Sequence, residues 1–292
     1  MGHNHSHTNN GTTEKISVAF GLNLGFCILE FVGGYFTNSV AIMSDALHDL
    51  GDSLSLGLAW YFQKISVNKR TKYFTYGYKR FSLLGAFINS MVLIIGSIFV
   101  LKESIQRISE PQSSNAKGML ILAIIGIIVN GWAVLKLRTG TSLNEKVISL
   151  HLLEDVLGWV AVLIGSFIML YIDLPIIDPI LSIGITCFVL LNVYKNLKST
   201  FQVILQGIPR NVNGEEVRVS LLQVPGVKDI HDLHIWTMDD EYNILSVHVI
   251  TNENAEIQKV KNVIKDMLKS LHIQHSTIEI ETETENCELI NC

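Results

Sequence analysis

The chain reads as an α-helical membrane protein of six transmembrane helices followed by a small α+β domain. Three observations predict this. First, 48% of its 292 residues are hydrophobic and only 17% are charged, too apolar for the one or two soluble domains that the length alone would allow. Second, six apolar segments each approach the roughly 20 residues needed to cross a bilayer as a helix. Third, beyond about Gln206 the long apolar runs give way to short alternating ones.

Residues 1–15 are polar and open with His3-Asn4-His5-Ser6-His7, an alternating His tract suited to metals. They lack the apolar stretch of a cleavable signal. The apolar segments follow within residues 16–205, at Ile16–Phe36, Val40–Gln63, Phe81–Leu101, Met119–Leu137, Val147–Tyr171 and Asp178–Leu197. Met119–Val129 and Val160–Tyr171 are apolar all round, where a soluble bundle would keep a polar stripe. Lys and Arg are uneven across the links. Lys64, Lys69, Arg70, Lys72, Lys79 and Arg80 join the second span to the third, and Lys136, Arg138 and Lys146 join the fourth to the fifth. The short links Thr37–Ser39 and Ile172–Ile177 carry none. Basic links stay in the cytoplasm, which puts both termini there too.

Residues 206–283 form the second domain. Gly214–Leu222 reads as a helix, Lys228–Met238 and Tyr242–Thr251 as strands, Asn254–Leu271 as an amphipathic helix and Ser276–Glu281 as a third strand. The order αββαβ suits helices packed on one face of a three-stranded sheet, with only the two hairpin strands required to be neighbours. Residues 284–292 are a polar tail with Cys287 and Cys292. The other cysteines, Cys27 and Cys187, lie in spans, so no disulfide framework exists. Net charge is -5, and no basic face offers itself to nucleic acid.

Chemistry concentrates in two segments inside spans. His48-Asp49-Leu50-Gly51-Asp52 and His151-Leu152-Leu153-Glu154-Asp155 each set a His and an Asp four residues apart, hence on one helix face. Ionisable groups at membrane depth are costly and mark a site by default. One helix offers two ligands. Two helices complete the four-coordinate N/O set that Zn²⁺ prefers, if small residues (Ala46, Gly51, Ser53 and Ser55 against Gly158 and Ala161) let them approach. Asp45, Asp49 and Glu154 fall off the shared face and serve as supporting or proton-path groups. Asn23, Glu30, Asn89 and Asn130 suit hydrogen bonding between helices. Imidazole donors favour Zn²⁺, with Co²⁺ or Cd²⁺ tolerated, over Mg²⁺ or Ca²⁺.

Ser44–Asp52, His151–Asp155, Tyr76-Gly-Tyr-Lys-Arg80 and His231-Asp-Leu-His-Ile-Trp236 resemble the cation diffusion facilitators, in particular their zinc-transporting branch. The resemblance covers about Ile16 to Glu281. It implies zinc/proton antiport by a homodimer with six spans and a cytoplasmic ferredoxin-like domain, and His48, Asp52, His151 and Asp155 as the transport site. It also makes His231, His248 and Glu281 regulatory zinc ligands, with His275 beside them, and His234 structural. His3, His5, His7, Cys287 and Cys292 are candidate terminal ligands. Ser66–Tyr78 lacks the His and Asp that some relatives use in this link, and Arg138–Leu143 lacks a His-rich insertion. The first departure implies that a third metal site is absent, and the second points to a bacterial cytoplasmic membrane. Two other readings compete: an intramembrane zinc hydrolase, which would need a His-Glu-x-x-His motif that is absent, and a zinc-sensing scaffold without transport.

Overall fold

The computed structural model describes residues 9–66, 70–137, 143–172, 174–253, 255–282 and 285, without the side chains of residues 9–20, 22, 59, 60, 63, 66, 136, 137 and 143–151. Six long helices come first: α1 (Asn9–Thr37), α2 (Val40–Ser66), α3 (Phe81–Ser109), α4 (Ala116–Leu137), α5 (Leu143–Tyr171) and α6 (Ile177–Ile204). Then follow α7 (Gly214–Leu222), β1 (Val227–Thr237), β2 (Asn243–Thr251), α8 (Ile257–Ser270) and β3 (His275–Thr282). The chain divides into two compact units, residues 1–61 with 85–196, and residues 62–84 with 197–292.

Among the described residues, four helices have the length and apolarity to cross a membrane, at Phe81–Ser109, Ala116–Leu135, Leu152–Tyr171 and Ile177–Ile204. The shortfall from six has a physical reason at α2, which carries Asp45, Asp49 and Asp52 within two turns. Large apolar side chains on these helices point outward, among them Ile98, Ile128, Trp132, Leu157, Phe167 and Leu191, as lipid contact requires and water would penalise.

In the first unit, the turn between α1 and α2 is the best-anchored point. Asn38 takes a left-handed backbone (φ 51°) that Asn tolerates. Arg107 of α3 donates to its carbonyl and Oδ1 at 2.7 and 2.9 Å. Fully buried Asp178, in the first turn of α6, accepts from Ser39 Oγ (2.5 Å), Val40 N (2.8 Å) and Ala41 N (3.2 Å). It thereby satisfies backbone donors that the start of α2 leaves without helical partners. Four and eight residues on, Ser182 accepts from Ser104 of α3 (2.9 Å) and Thr186 pairs with Ser44 of α2 (2.8 Å). One face of α6 thus holds α2 at a fixed height and rotation.

Glycines set the closest approaches. A Cβ on Gly126 of α4 would lie 2.3 Å from the ring of fully buried Trp159 on α5. Gly51 admits Leu93 of α3, which a Cβ would meet at 2.6 Å. Its smallness serves α3, not the approach to α5 that its position beside Asp52 suggests. Gly158 does open that approach, since a Cβ there would touch Asp45 Oδ1 at 3.5 Å.

In the second unit the strands run in the order β1-β2-β3. β1 and β2 are antiparallel, and β3, returning after α8, lies parallel to β2. This matches the predicted αββαβ order and supplies the pairing of the last strand. Asn213 caps α7, accepting from Glu215 N and Glu216 N. Val217 and Leu221 of α7 and Val260, Ile264 and Leu268 of α8 cover Ile235, Leu245, Val247 and Val249. With a side-chain period of two, His248 falls on the face away from that core. Residues 62–84 belong to the same unit. Lys79 Nζ lies 3.5 Å from Asp239 Oδ2 and 4.5 Å from the centre of the Tyr242 ring.

Replacing Asp178 with Ala leaves the buried amides of Val40 and Ala41 without acceptors, a loss of about 1–3 kcal/mol. Thermal unfolding in detergent is expected to show a lowered midpoint, with Asp178→Asn intermediate. An unchanged midpoint in both variants would contradict the clamp.

Candidate metal centres

Two clusters of ligand-type side chains stand out, one in each unit. The first is built where α2 faces α5. His48 and Asp52 sit one turn apart on α2, as the spacing requires, with His48 Nε2 3.8 Å from Asp52 Oδ2. Asp155 of α5 approaches the same nitrogen from the facing helix, its Oδ1 at 3.7 Å. Two donors each about 2.1 Å from one ion lie no more than about 4.2 Å apart, so both separations fit a shared cation. His151 is on α5 one turn before Asp155, and its side chain lies outside the described residues. Asp155 and His48 are largely buried, and the His48 ring meets Phe188 of α6 edge-on at 6.5 Å.

Two cavities meet at His48 and Glu154. One, of about 360 Å³, is walled mainly by Leu157, Ala161, Ile180, Leu181, Ile185 and Phe188, with Asp45 and Asp155 at its polar end. The other, of about 290 Å³, is polar and includes Asp52, Ser55, Asn89, Asn192, Lys195 and Asn196. Of the other intramembrane polar groups, Asn23 and Asn89 tie helices together, whereas the Glu30 carboxylate oxygens and Asn130 Nδ2 make no hydrogen bond among the described residues. Asn23 of α1 donates to Asp49 O (3.3 Å) and Ser53 Oγ (3.1 Å), and Asn89 of α3 donates to Ser55 Oγ (2.7 Å). Glu30 is fully buried within electrostatic reach of Asp49 and Asp45.

The second cluster lies on the open face of the sheet. His231 pairs across the strands with His248, their rings 5.1 Å apart. Glu281 of β3 completes the group: its Oε2 lies 3.4 Å from His231 Nε2, and its Oε1 lies 2.5 Å from His248 Nδ1. Ligand atoms of the three residues all lie within 4.8 Å of one another. His231 Nε2 is buried and makes no hydrogen bond among the described residues, an arrangement a metal would satisfy. Two carboxylates flank the trio, Asp232 Oδ2 at 3.7 Å and Glu279 Oε2 at 3.5 Å from His248 Nε2. Asp232 reaches in because β1 is irregular between His231 and His234, where Asp232 adopts φ 50°. Glu279 was not singled out from the sequence, although the Glu-Ile-Glu alternation of β3 puts it on the same face as Glu281.

Other sequence candidates fall elsewhere. His275 begins β3, six residues from Glu281 and so about 20 Å along the strand. It is exposed and meets the Tyr76 ring edge-on at 5.8 Å. Within this chain it does not join the trio. His234 is exposed and pairs with Asp232 at 2.8 Å. His3, His5, His7, Cys287 and Cys292 lie outside the described residues.

Apolar helices that bring an imidazole and two carboxylates to a common point, in a chain that also has a sheet domain with a His/Glu cluster, fit a membrane carrier of divalent metal. The chain belongs to the cation efflux (cation diffusion facilitator) family. Residues 16–205 match the cation efflux transmembrane domain, and residues 209–283 match the cation efflux protein cytoplasmic domain. A cadmium, cobalt and zinc/H(+)-K(+) antiporter of Bacillus subtilis is 34% identical over 98% of this chain and 94% of its own length. The metal cation efflux system protein CzcD of Cupriavidus metallidurans is 35% identical, over 96% and 90%. The zinc transporter ZitB of Escherichia coli is 30% identical, over 96% and 93%. A solved metal-bound C-terminal domain of the CzcD transporter is 38% identical, covering 24% of this chain and 99% of that one at a TM-score of 0.23. The chain is therefore a cation transporter of the zinc-handling branch, not an enzyme.

A metal held by the sheet cluster would compete with protons for its imidazole nitrogens. Replacing His248 with Ala in the full-length protein is expected to weaken zinc there by at least about tenfold. Isothermal titration calorimetry at neutral pH reads this as one fewer high-affinity equivalent. An unchanged stoichiometry would remove the cluster as a site.

Proposed function

We propose that this protein exports Zn²⁺ from the cytoplasm in exchange for protons by alternating access, with His48, Asp52, His151 and Asp155 as the transport site. The observation that carries the reading is the convergence of Asp52 and Asp155 on one nitrogen of His48 at 3.8 and 3.7 Å. Two carboxylates match the charge of one divalent ion, and one or two imidazoles bias the site toward zinc. Relatives named as cadmium, cobalt and zinc antiporters and as zinc transporters support the same reading, with Co²⁺ and Cd²⁺ as secondary cargo.

Residues 16–205 serve as six transmembrane helices with both termini in the cytoplasm of a bacterium. Residues 206–283 serve as a cytoplasmic ferredoxin-like domain through which two copies associate, and His231, His248 and Glu281 bind zinc there as a regulatory ligand. The residues 1–15 and 284–292 contribute His3, His5, His7, Cys287 and Cys292 as loading ligands. Proton and metal compete for the same imidazole nitrogens. A deprotonated site facing the cytoplasm captures zinc. The same site facing a more acidic exterior gains a proton on His48 or His151 and lets zinc go. Because the site then returns protonated, proton entry is tied to zinc exit.

The test is zinc uptake by proteoliposomes under an imposed pH difference. An acidic interior should accelerate uptake and be consumed as zinc enters, while Asp52→Ala and His151→Ala should abolish both fluxes. Equal zinc flux with and without the gradient, with no proton movement, contradicts the coupling. Zinc binding with no flux at all would instead favour a sensor. Ligand type can be probed separately with His48→Asp, which should relax the preference for Zn²⁺ over Mn²⁺ in competition assays. An unchanged preference would mean that selection lies elsewhere.

A further inference from the structure

The polar cavity beside His48 contains a buried group that helix packing does not account for. Asn89 of α3 is 7% exposed. Its amide nitrogen is used, donating to Ser55 Oγ at 2.7 Å. Its Oδ1 is buried and has no hydrogen-bond partner among the described residues. An acceptor left in this state is destabilising, and burial of the tie to Ser55 alone would not require it. Asn89 belongs to the wall of the cavity that also holds Asp52 and Glu154. Glu154, an exposed residue, lines both cavities.

We propose that this cavity is a loading subsite for a divalent cation that still carries part of its water shell, held by the Glu154 carboxylate and Asn89 Oδ1 before it passes to His48 and Asp52. The donor set explains the division of labour. Carboxylate and amide oxygens with remaining waters hold a cation loosely and without the preference that imidazole confers. Hydration is exchanged in two steps, first for oxygens and then for the His48 centre, instead of in one. The cavity is also on the appropriate side of the bundle. Ser55 lies beyond Asp52 toward the end of α2, and Asn89 is in the first third of α3, near the basic link read as cytoplasmic. The other cavity is also lined by Asp45, Glu154 and Asp155, but the rest of its wall is mostly apolar and includes no Asn or Ser side chain.

Lys195 of α6 lines the same polar cavity. Its ammonium repels an arriving cation, which keeps occupancy brief. Substitutions at Glu154 and at Lys195 therefore act in opposite directions.

This inference rests on the transport-site reading above, so the experiment separates the two. Zinc uptake by full-length protein in proteoliposomes is measured against zinc concentration for Glu154→Gln, Asn89→Leu and Lys195→Met. Zinc binding in detergent is measured by calorimetry for the same variants and for His48→Ala, every calorimetric sample also carrying His248→Ala to silence the sheet cluster. Glu154→Gln and Asn89→Leu are expected to raise KM by about fivefold, and Lys195→Met to lower it by about twofold, while high-affinity binding at the His48 site is retained. Unchanged KM in Glu154→Gln and Lys195→Met overturns the loading subsite even if Asn89→Leu fails to fold. Loss of high-affinity binding in Glu154→Gln also overturns it, since Glu154 would then be a ligand of the main site. Retention of that binding in His48→Ala overturns the transport-site reading itself.

Discussion

A divalent ion cannot rest inside an apolar bundle unless opposite charge already waits for it. Asp52 and Asp155 supply that charge, and the cost of holding two carboxylates away from water is what the surrounding architecture must bear. They are kept on separate helices and brought to one side of His48, so that each is close to the imidazole nitrogen. With a cation between them, their mutual repulsion becomes shared attraction. In the proposed antiport, the competition between zinc and protons follows from this charge requirement and is not an added device.

Precision at this point depends on contacts well away from it. Asp178 ties the first amides of α2 to α6, and Ser44, one turn along α2, repeats the tie through Thr186. His48 is one further turn along. Beyond that level the α2–α6 pairing gives way to the polar cavity with Asn192 and Asn196. One end of the helix pair is closed by hydrogen bonds and the other is open. Trp159, one turn after Asp155, is locked against Gly126, which fixes α5 from the opposite side.

Much of this was legible in the sequence. The spans were visible because apolar runs of this length have few other uses. The two His-x-x-x-Asp pairs were visible because ionisable groups are rare and costly inside apolar runs. The order of elements after Gln206 followed from periodicity. Contacts between distant segments were not legible. Asp178 looks like an ordinary polar residue at a span edge until the start of α2 is seen to lack acceptors. Gly51 looks like a device for α5 until Leu93 of α3 fills its space. Strand β3 could have paired on either side of the hairpin, and only its place beside β2 brings Glu281 to His231 and His248 while carrying His275 away from them.

X-ray absorption at the zinc edge reports the central claim most directly. It is recorded on full-length protein carrying His231→Ala and His248→Ala with one equivalent of zinc. The predicted spectrum has four N/O donors at about 2.0–2.1 Å, with imidazole scattering that diminishes in His48→Ala. A sulfur-containing shell, or imidazole scattering indifferent to His48, would contradict it.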